Sequence, residues 1–399
     1  MSETKSSMLN NGTIAWKEGE QIHLAQWHSE NSIPPHKRVV LVDDTLTADT
    51  AYRYACEGTA MLWKSDFQNA RQLLQALATR IDKPSKKIKR DKEKSKSESR
   101  SILDNFNHHR LAQSQRARIL GMLLIPLNAD HSISLRRAPD VSQACLEAYG
   151  LANESYVISL RELLGVISAH EWRKRGVPIL VNQDQKILIY PHYGVFSPIR
   201  GEYIELICKA PLPKAVSAHS IAFDIGAGTG VLSILLAMRG IKQVTATDQD
   251  VRALACATEN IERLSLTSQI TVVKENLFPV GQAALIVCNP PWLPARPSSS
   301  LEHAVYDPES QMLKGFLSNL KAHLLPQGEG WLILSDLAEH LELRTRQDLL
   351  TWIEDSGLLV VGRLDTKPVH KKIFDKADSL HFARAAEVTS LWRLRKNDV

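Results

Sequence analysis

At 399 residues, with 44% hydrophobic and 23% charged side chains, the chain is long enough for two or three domains with their own cores, which excludes a fibre, a disulfide mini-protein and a wholly disordered chain. Net charge is only +5, and residues 83–100 hold nine Lys/Arg against Asp91, Glu93 and Glu98, so the remainder sums to about −1 and implies no chain-wide field for nucleic acid. No apolar run reaches the ~20 residues of a membrane span, the start lacks the order of a secretory signal, and the five cysteines form no CxxC pair and have no His at zinc spacing; a cytoplasmic protein with reduced thiols, no metal and no membrane partner is expected.

In chain order, 48–56 and 66–81 carry helical periodicity, the second placing Ala70, Leu73, Leu74, Leu77 and Ala78 on one face. Segment 1–82 is read as mostly helical. The Lys-rich stretch 83–103 has almost nothing to bury and reads as a flexible, self-repelling linker. A helix is predicted over 104–120, then strands at 122–127 and 131–135 joined as a hairpin by Asn128, Ala129 and Asp130. Helices follow near 142–148 and 159–173, and a second apolar pair, 178–181 and 186–190, flanks turn residues 182–185. Segment 104–192 is thus an α+β accessory region. From 220 onward short apolar runs alternate with helical periodicities, the pattern of a parallel sheet covered on both faces. Strands are predicted at 221–225, 243–247, 270–274, 284–288, 330–335, 358–364 and 387–393. The fold class is α/β, a doubly wound, Rossmann-like sheet behind the α+β region.

The run Phe223-Asp224-Ile225-Gly226-Ala227-Gly228-Thr229-Gly230 ends a predicted strand and opens a helix, so its glycines let backbone approach a ligand at the helix N-terminus. A dinucleotide fingerprint wants Gly or Ala where Val231 stands, three residues after Gly228; here the third glycine is Gly230. A pyrophosphate needs many backbone donors, whereas a sulfonium with an amino-acid tail is better served by an acid at the loop, Asp224. The choice tilts toward S-adenosylmethionine and away from a nicotinamide dinucleotide. Asp248, 22 residues after Gly226 and at the end of the next strand, offers a carboxylate to a ribose diol. Asn276, past the third strand, can accept from an adenine amine through its amide oxygen, with Leu277 flanking the ring. Taken singly, Asp248 is equally a helix-cap neighbour and Asn276 a turn former.

After the fourth strand comes Cys288-Asn289-Pro290-Pro291-Trp292, at the edge where doubly wound folds place ligands. Pro290 and Pro291 stiffen the loop, and methyl transfer rewards stiffness because nucleophile, methyl carbon and sulfur must be collinear. A planar amine is a poor nucleophile, its lone pair being delocalised. The Asn289 oxygen and the Pro290 carbonyl can each accept one of its hydrogens and favour the attacking geometry, while Trp292 stacks on the flat substrate.

On these residues the second half resembles a class I S-adenosylmethionine-dependent methyltransferase of the subgroup with an Asn-Pro-Pro-aromatic motif, over roughly 193–399. The resemblance implies a seven-stranded sheet with an antiparallel last strand, cofactor contacts from Asp224, Gly226, Gly228, Asp248 and Asn276, and a substrate nitrogen held by Asn289 and Pro290. Such relatives methylate exocyclic nitrogens of adenine, guanine or cytosine, or the side-chain amide of protein glutamine. Asn276 stands where many have Asp before Leu-Phe, and Trp292 where Tyr or Phe is commoner. Segment 193–202 is similar to one that precedes the catalytic domain, and Tyr306-Asp307-Pro308-Glu309 is similar to an arrangement in the protein-glutamine enzymes.

His108, His109, Arg110, Arg116 and Arg118 on one predicted helix, then Arg136, Arg137, Arg173, Lys174 and Arg175, offer phosphate contacts, although such faces are commonly just solvated. His170-Glu171 is no metalloprotease motif, because Lys174 stands where the second His would be. The leading expectation is an N-methyltransferase acting on an exocyclic amine of an RNA base, with protein-glutamine N5-methylation as the rival. A catalytically silent RNA- or protein-binding module on the same fold is disfavoured by the intact glycines and the intact 289–292. The expected partner is a macromolecule, RNA ahead of protein.

Overall fold

The computed structural model describes residues 12–82, 101–181, 185–199, 201–297, 302, 304–369, 375 and 378–397; residues 83–100 of the expected linker and turn residues 182–184 lie outside these. The chain divides into two compact units, one drawn from Met1–Ser101 and Asn107–Glu171, the other from Ile102–Phe106 and Trp172–Val399.

The first unit holds a six-stranded mixed sheet built from β1 (Thr13–Glu18), β2 (Gln21–Trp27), β3 (Val39–Val42), β4 (Ala60–Trp63), β5 (Leu123–Leu127) and β6 (Tyr156–Ser159), in the order β1-β2-β6-β5-β4-β3. Helices Ala48–Cys56 and Phe67–Asp82 form where periodicity placed them. The described part of segment 1–82, residues 12–82, is nevertheless not mostly helical, since it supplies β1 to β4. The β1–β2 hairpin turns through Gly19 at φ +63°, and β3 and β4 span four residues each, too short for an alternation to register. The expected strand 131–135 is also absent. There Asp130 accepts hydrogen bonds from the Ser132 amide (2.9 Å) and hydroxyl (2.6 Å), and His131 turns at φ +66° with its ring bonded to Tyr156 Oη at 2.9 Å. These side chains satisfy the backbone that a ladder would have used, and β5 pairs antiparallel with β6 instead.

The second unit opens with the antiparallel hairpin β7 (Val177–Leu180) and β8 (Lys186–Ile189). Its main sheet comprises β9 (Ile221–Ile225), β10 (Gln243–Asp248), β11 (Ile270–Lys274), β12 (Ala283–Cys288), β13 (Leu324–Ser335), β14 (Leu358–Thr366) and β15 (Thr389–Lys396), ordered β11-β10-β9-β12-β13-β15-β14. The first five pair in parallel and β15 runs antiparallel between β13 and β14. Counted from its own first strand the order is 3-2-1-4-5-7-6; the seven strands and the reversed seventh are those the resemblance implied. Alternate side chains enter opposite cores: Leu285, Val287, Trp331 and Ile333 pack with helices Glu202–Lys209, Val231–Met238 and Val251–Arg263, while Ile286, Cys288, Leu332 and Leu334 meet helices Gln311–His323 and Arg346–Asp355. Both faces being buried explains why β12 is an unbroken apolar run.

Candidate active site

In-register pairing aligns Ile225 with both Thr247 and Cys288, and Asp248 with Lys274. Four adjacent strands therefore end at one level, and the loops that follow them open from the same carboxyl edge. Strand order reverses between β9 and β12, the crevice in which doubly wound sheets take ligands. The glycine loop, Asp248, Asn276 and the Asn-Pro-Pro-Trp loop therefore all lie at this edge.

Gly226, Gly228 and Gly230 adopt φ of +75°, +54° and +78°, conformations that a side chain disfavours. A Cβ on Gly226 would lie 2.6 Å from Met312 Cε and one on Gly230 3.2 Å from Ala257 Cα, whereas one on Gly228 would meet nothing within 4 Å. The loop is thus tight at its ends and open in the middle. It hangs from β10: the Gly226 and Ala227 amides both donate to the Thr247 carbonyl at 2.9 Å, and the Gly228 amide donates to Asp248 Oδ2 at 3.0 Å. Asp248 Oδ1 accepts from the Asp250 amide at 3.0 Å and the carboxylate also takes the Gln249 amide, which leaves part of its acceptor capacity for a ligand. Burial raises the Asp248 pKa, against the pull of those amides.

Asp224 is fully buried. Oδ2 accepts from the Ser233 amide at 2.9 Å and hydroxyl at 2.6 Å, while the buried Oδ1 has no hydrogen-bond partner. Burial outweighs the Ser233 bonds and, with Asp248 nearby, lifts the pKa to about 6. A carboxylate with one satisfied and one orphaned oxygen fits a cationic or N–H-bearing group above the loop. Asn276 is exposed. Leu277 follows at φ +78°, and its carbonyl accepts the Thr247 hydroxyl at 2.5 Å.

Across the crevice, Asn289 is half-buried, Pro290 is buried, and Trp292 is half-buried with its ring packed against both cores. Trp292 Nε1 donates to Asn289 Oδ1 at 2.9 Å. The indole thus braces Asn289, where the sequence suggested a ring free to stack on substrate. The loop is tied onward: the Leu293 amide donates to the Val305 carbonyl (3.0 Å), and the Leu293 carbonyl accepts the Asp307 amide (2.8 Å). Buried Asp307 accepts from the Met312 and Leu313 amides at 3.1 and 3.2 Å, capping helix Gln311–His323. Glu309 and Ser310 take left-handed φ of +57° and +56°, the kind of stored strain found beside functional sites. Sequence reasoning noted Asp307 only by resemblance, although Asp before Pro and a helical period is a helix-start signal. Ser233 and Thr247 carried no signal, because their roles depend on register across the sheet.

Segment 193–197 lies against helix Val251–Arg263, with Val195 packed on Ala253 and Cys256, and Arg252 over the Tyr193 ring. The basic groups are largely committed elsewhere: Arg116 pairs with Asp82, Arg136 and Arg137 with Asp66, and Arg173 with Glu259. Among the described residues no His/Cys/Asp/Glu group is placed to hold a metal, and no helix is long and apolar enough to cross a membrane.

Left-handed glycines on the carboxyl edge of a sheet ordered 3-2-1-4-5-7-6 define a nucleoside-cofactor fold of the methyltransferase class. The profile of the family described as the methyltransferase small domain matches residues 187–344. A tRNA1(Val) (adenine(37)-N6)-methyltransferase from Shewanella loihica is 30% identical over 40% of this chain and 72% of its own length. A ribosomal protein L11 methyltransferase from Bacillus pumilus is 27% identical over 30% of this chain and 44% of its own. The solved structure of a S-adenosylmethionine-dependent methyltransferase from Clostridium acetobutylicum aligns at 15% identity over 43% of this chain and 83% of that one, with a TM-score of 0.31. The chain spans about half the length of the L11 methyltransferases that it matches. It belongs to the S-adenosylmethionine-dependent methyltransferases of the small-domain family, and S-adenosylmethionine is its cofactor.

Proposed function

We propose that this chain methylates a planar exocyclic nitrogen of an RNA base. The observation that carries the reading is the placement of Asn289 one residue beyond the Cys288–Ile225 pair, directly across from the glycine loop. When bound, S-adenosylmethionine supplies a methyl group activated on a cationic sulfonium. Asp248 receives the ribose hydroxyls on its remaining lone pairs, and Asn276 accepts from the adenine amine with Leu277 against the ring. Gly226, Gly228 and Gly230 admit the amino-acid end to the main chain, above the orphaned oxygen of Asp224. Asn289 Oδ1 keeps one lone pair beyond its bond to Trp292. With the Pro290 carbonyl it accepts both hydrogens of the substrate amine, drawing that nitrogen out of conjugation. Pro290 and Pro291 hold these acceptors stiff, and no acidic base is needed, because the nitrogen sheds its proton once it has become positively charged. The first unit positions the substrate.

The similarity to a protein named for adenine N6 of tRNA, over most of that protein's length, favours RNA. The L11 methyltransferase matches favour a protein substrate as the second reading. Tritiated methyl transfer to total RNA and to total protein, both taken from cells lacking the enzyme, separates the two. Label in RNA at an exocyclic amine is expected; label in protein alone rejects the RNA reading.

A further inference from the structure

Thr247 sits fully buried at the end of β10, a strand position where valine would fill the same volume with no hydroxyl to satisfy. Its single hydroxyl proton goes to the Leu277 carbonyl at 2.5 Å, the Asp224 carbonyl lying at 3.4 Å. That bond crosses from the β10 edge to the loop after β11 and seizes a leucine held at φ +78°, an unusual conformation for a residue with a branched side chain. The same leucine is anchored from the other side. Its Cδ1 lies 2.8 Å from where a Cβ of Gly315 would be, so a side chain at that position of helix Gln311–His323 would displace the leucine methyl. The Leu277 carbonyl is bonded and its side chain packs on the core, which constrains the residue next to Asn276 on both sides.

We propose that Thr247 is a positioning residue for cofactor recognition: through Leu277, and against Gly315, it sets Asn276 to read the exocyclic amine of adenine. The inference rests on the adenine role given to Asn276 above. The Thr247 carbonyl meanwhile holds the Gly226 and Ala227 amides, a main-chain link that substitution of the side chain leaves in place. Loss of the hydroxyl therefore loosens the adenine corner selectively.

The test uses the purified full chain and calorimetry with two probes, S-adenosylhomocysteine and S-inosylhomocysteine, in which a carbonyl oxygen replaces the amine. The wild type is expected to prefer the adenosyl compound by about tenfold, the worth of one well-made hydrogen bond with its unsatisfied partner. Thr247→Val should shrink that preference to within about threefold while the inosyl affinity barely moves, and Thr247→Ser should restore it. Gly315→Ala, which strengthens its helix and so keeps the fold, should push Leu277 and erode the preference independently, deciding the matter if Thr247→Val does not fold. A preference retained in both variants, or both probes weakened in proportion, overturns the positioning role and leaves Asn276 standing as the reader. A wild type without preference, matched by Asn276→Ala, removes the adenine reading itself and the inference with it.

Discussion

On the β10–β11 side of the crevice, ligand-facing positions are set by main chain: left-handed glycines, amides donated to the Thr247 carbonyl, and a carboxylate caught between the Gly228 and Asp250 amides. On the β12 side they are set by side chains: the indole on Asn289, and Asp307 capping the helix beside the Leu293 bridge. A wall built mainly from backbone tolerates change in most of the side chains around it, Thr247 with its hydroxyl on Leu277 being the exception proposed above, and a side-chain-built wall does not. On the proposed function, the first wall suits a cofactor of one shape, and the second would let substitution alter which substrate is presented.

The sharpest division between the walls comes from truncating one acceptor on each. Asn289→Ala should lower methyl transfer by about 10²–10³-fold, the scale of losing one preorganised transition-state partner, with S-adenosylhomocysteine affinity within about twofold of wild type by calorimetry. Asp248→Ala should do the converse, weakening the cofactor by about 10- to 100-fold with little change in kcat at saturation. If both variants lose affinity and turnover together, the walls are not separate.

Asp224 is a second exception on the backbone-built side, and its protonation offers a measure of how dry that side is. Its pKa rises from 3.8 to about 6 on folding, so the native state holds this proton more tightly. The stabilisation is complete below about pH 4, fades as pH climbs toward 6, and is gone above it, amounting to about 3 kcal/mol at most. Asp224→Asn cannot titrate, so its urea stability relative to wild type should rise between about pH 4 and pH 7. A flat difference would mean that water reaches the carboxyl.

The smallest effect is expected for Trp292→Phe, which keeps a ring but removes the N–H bonded to Asn289. About 1 kcal/mol, or roughly fivefold in methyl transfer, should be lost, with the cofactor affinity unchanged. No loss would show that the two prolines alone hold Asn289.

Much of the second unit was legible because its central strands are buried on both faces and read as continuous apolar runs, so β9 and β11 fall on their predicted residues. The expected start of β13 at 330 was late, since Pro326 and Gly328 read as turn, and Glu329 reads as surface. It is fully buried and takes donors from Arg393, Arg395 and Trp331. At the other end, 387–393 slid to Thr389–Lys396 because Glu387 turns inward to accept the Ser335 hydroxyl. In the site, glycine spacing and the Asn-Pro-Pro-Trp string are local signals and were visible. The Thr247–Leu277 bond spans 30 residues, and the orphaned oxygen of Asp224 depends on burial, so neither leaves a mark in sequence. In the first unit, four-residue strands and the Asp130 turn defeated periodicity for the same reason.

The place of β15 bears on how this sheet is assembled during synthesis. It emerges after β14 yet lies between β13 and β14; β13 also pairs with β12, whereas β14 joins the sheet only through β15. Until β15 has been made, β13 carries a bare edge and β14 has no neighbour, so a nascent chain must keep two aggregation-prone borders apart. Closure of the catalytic layer therefore waits for β15 and not for β14.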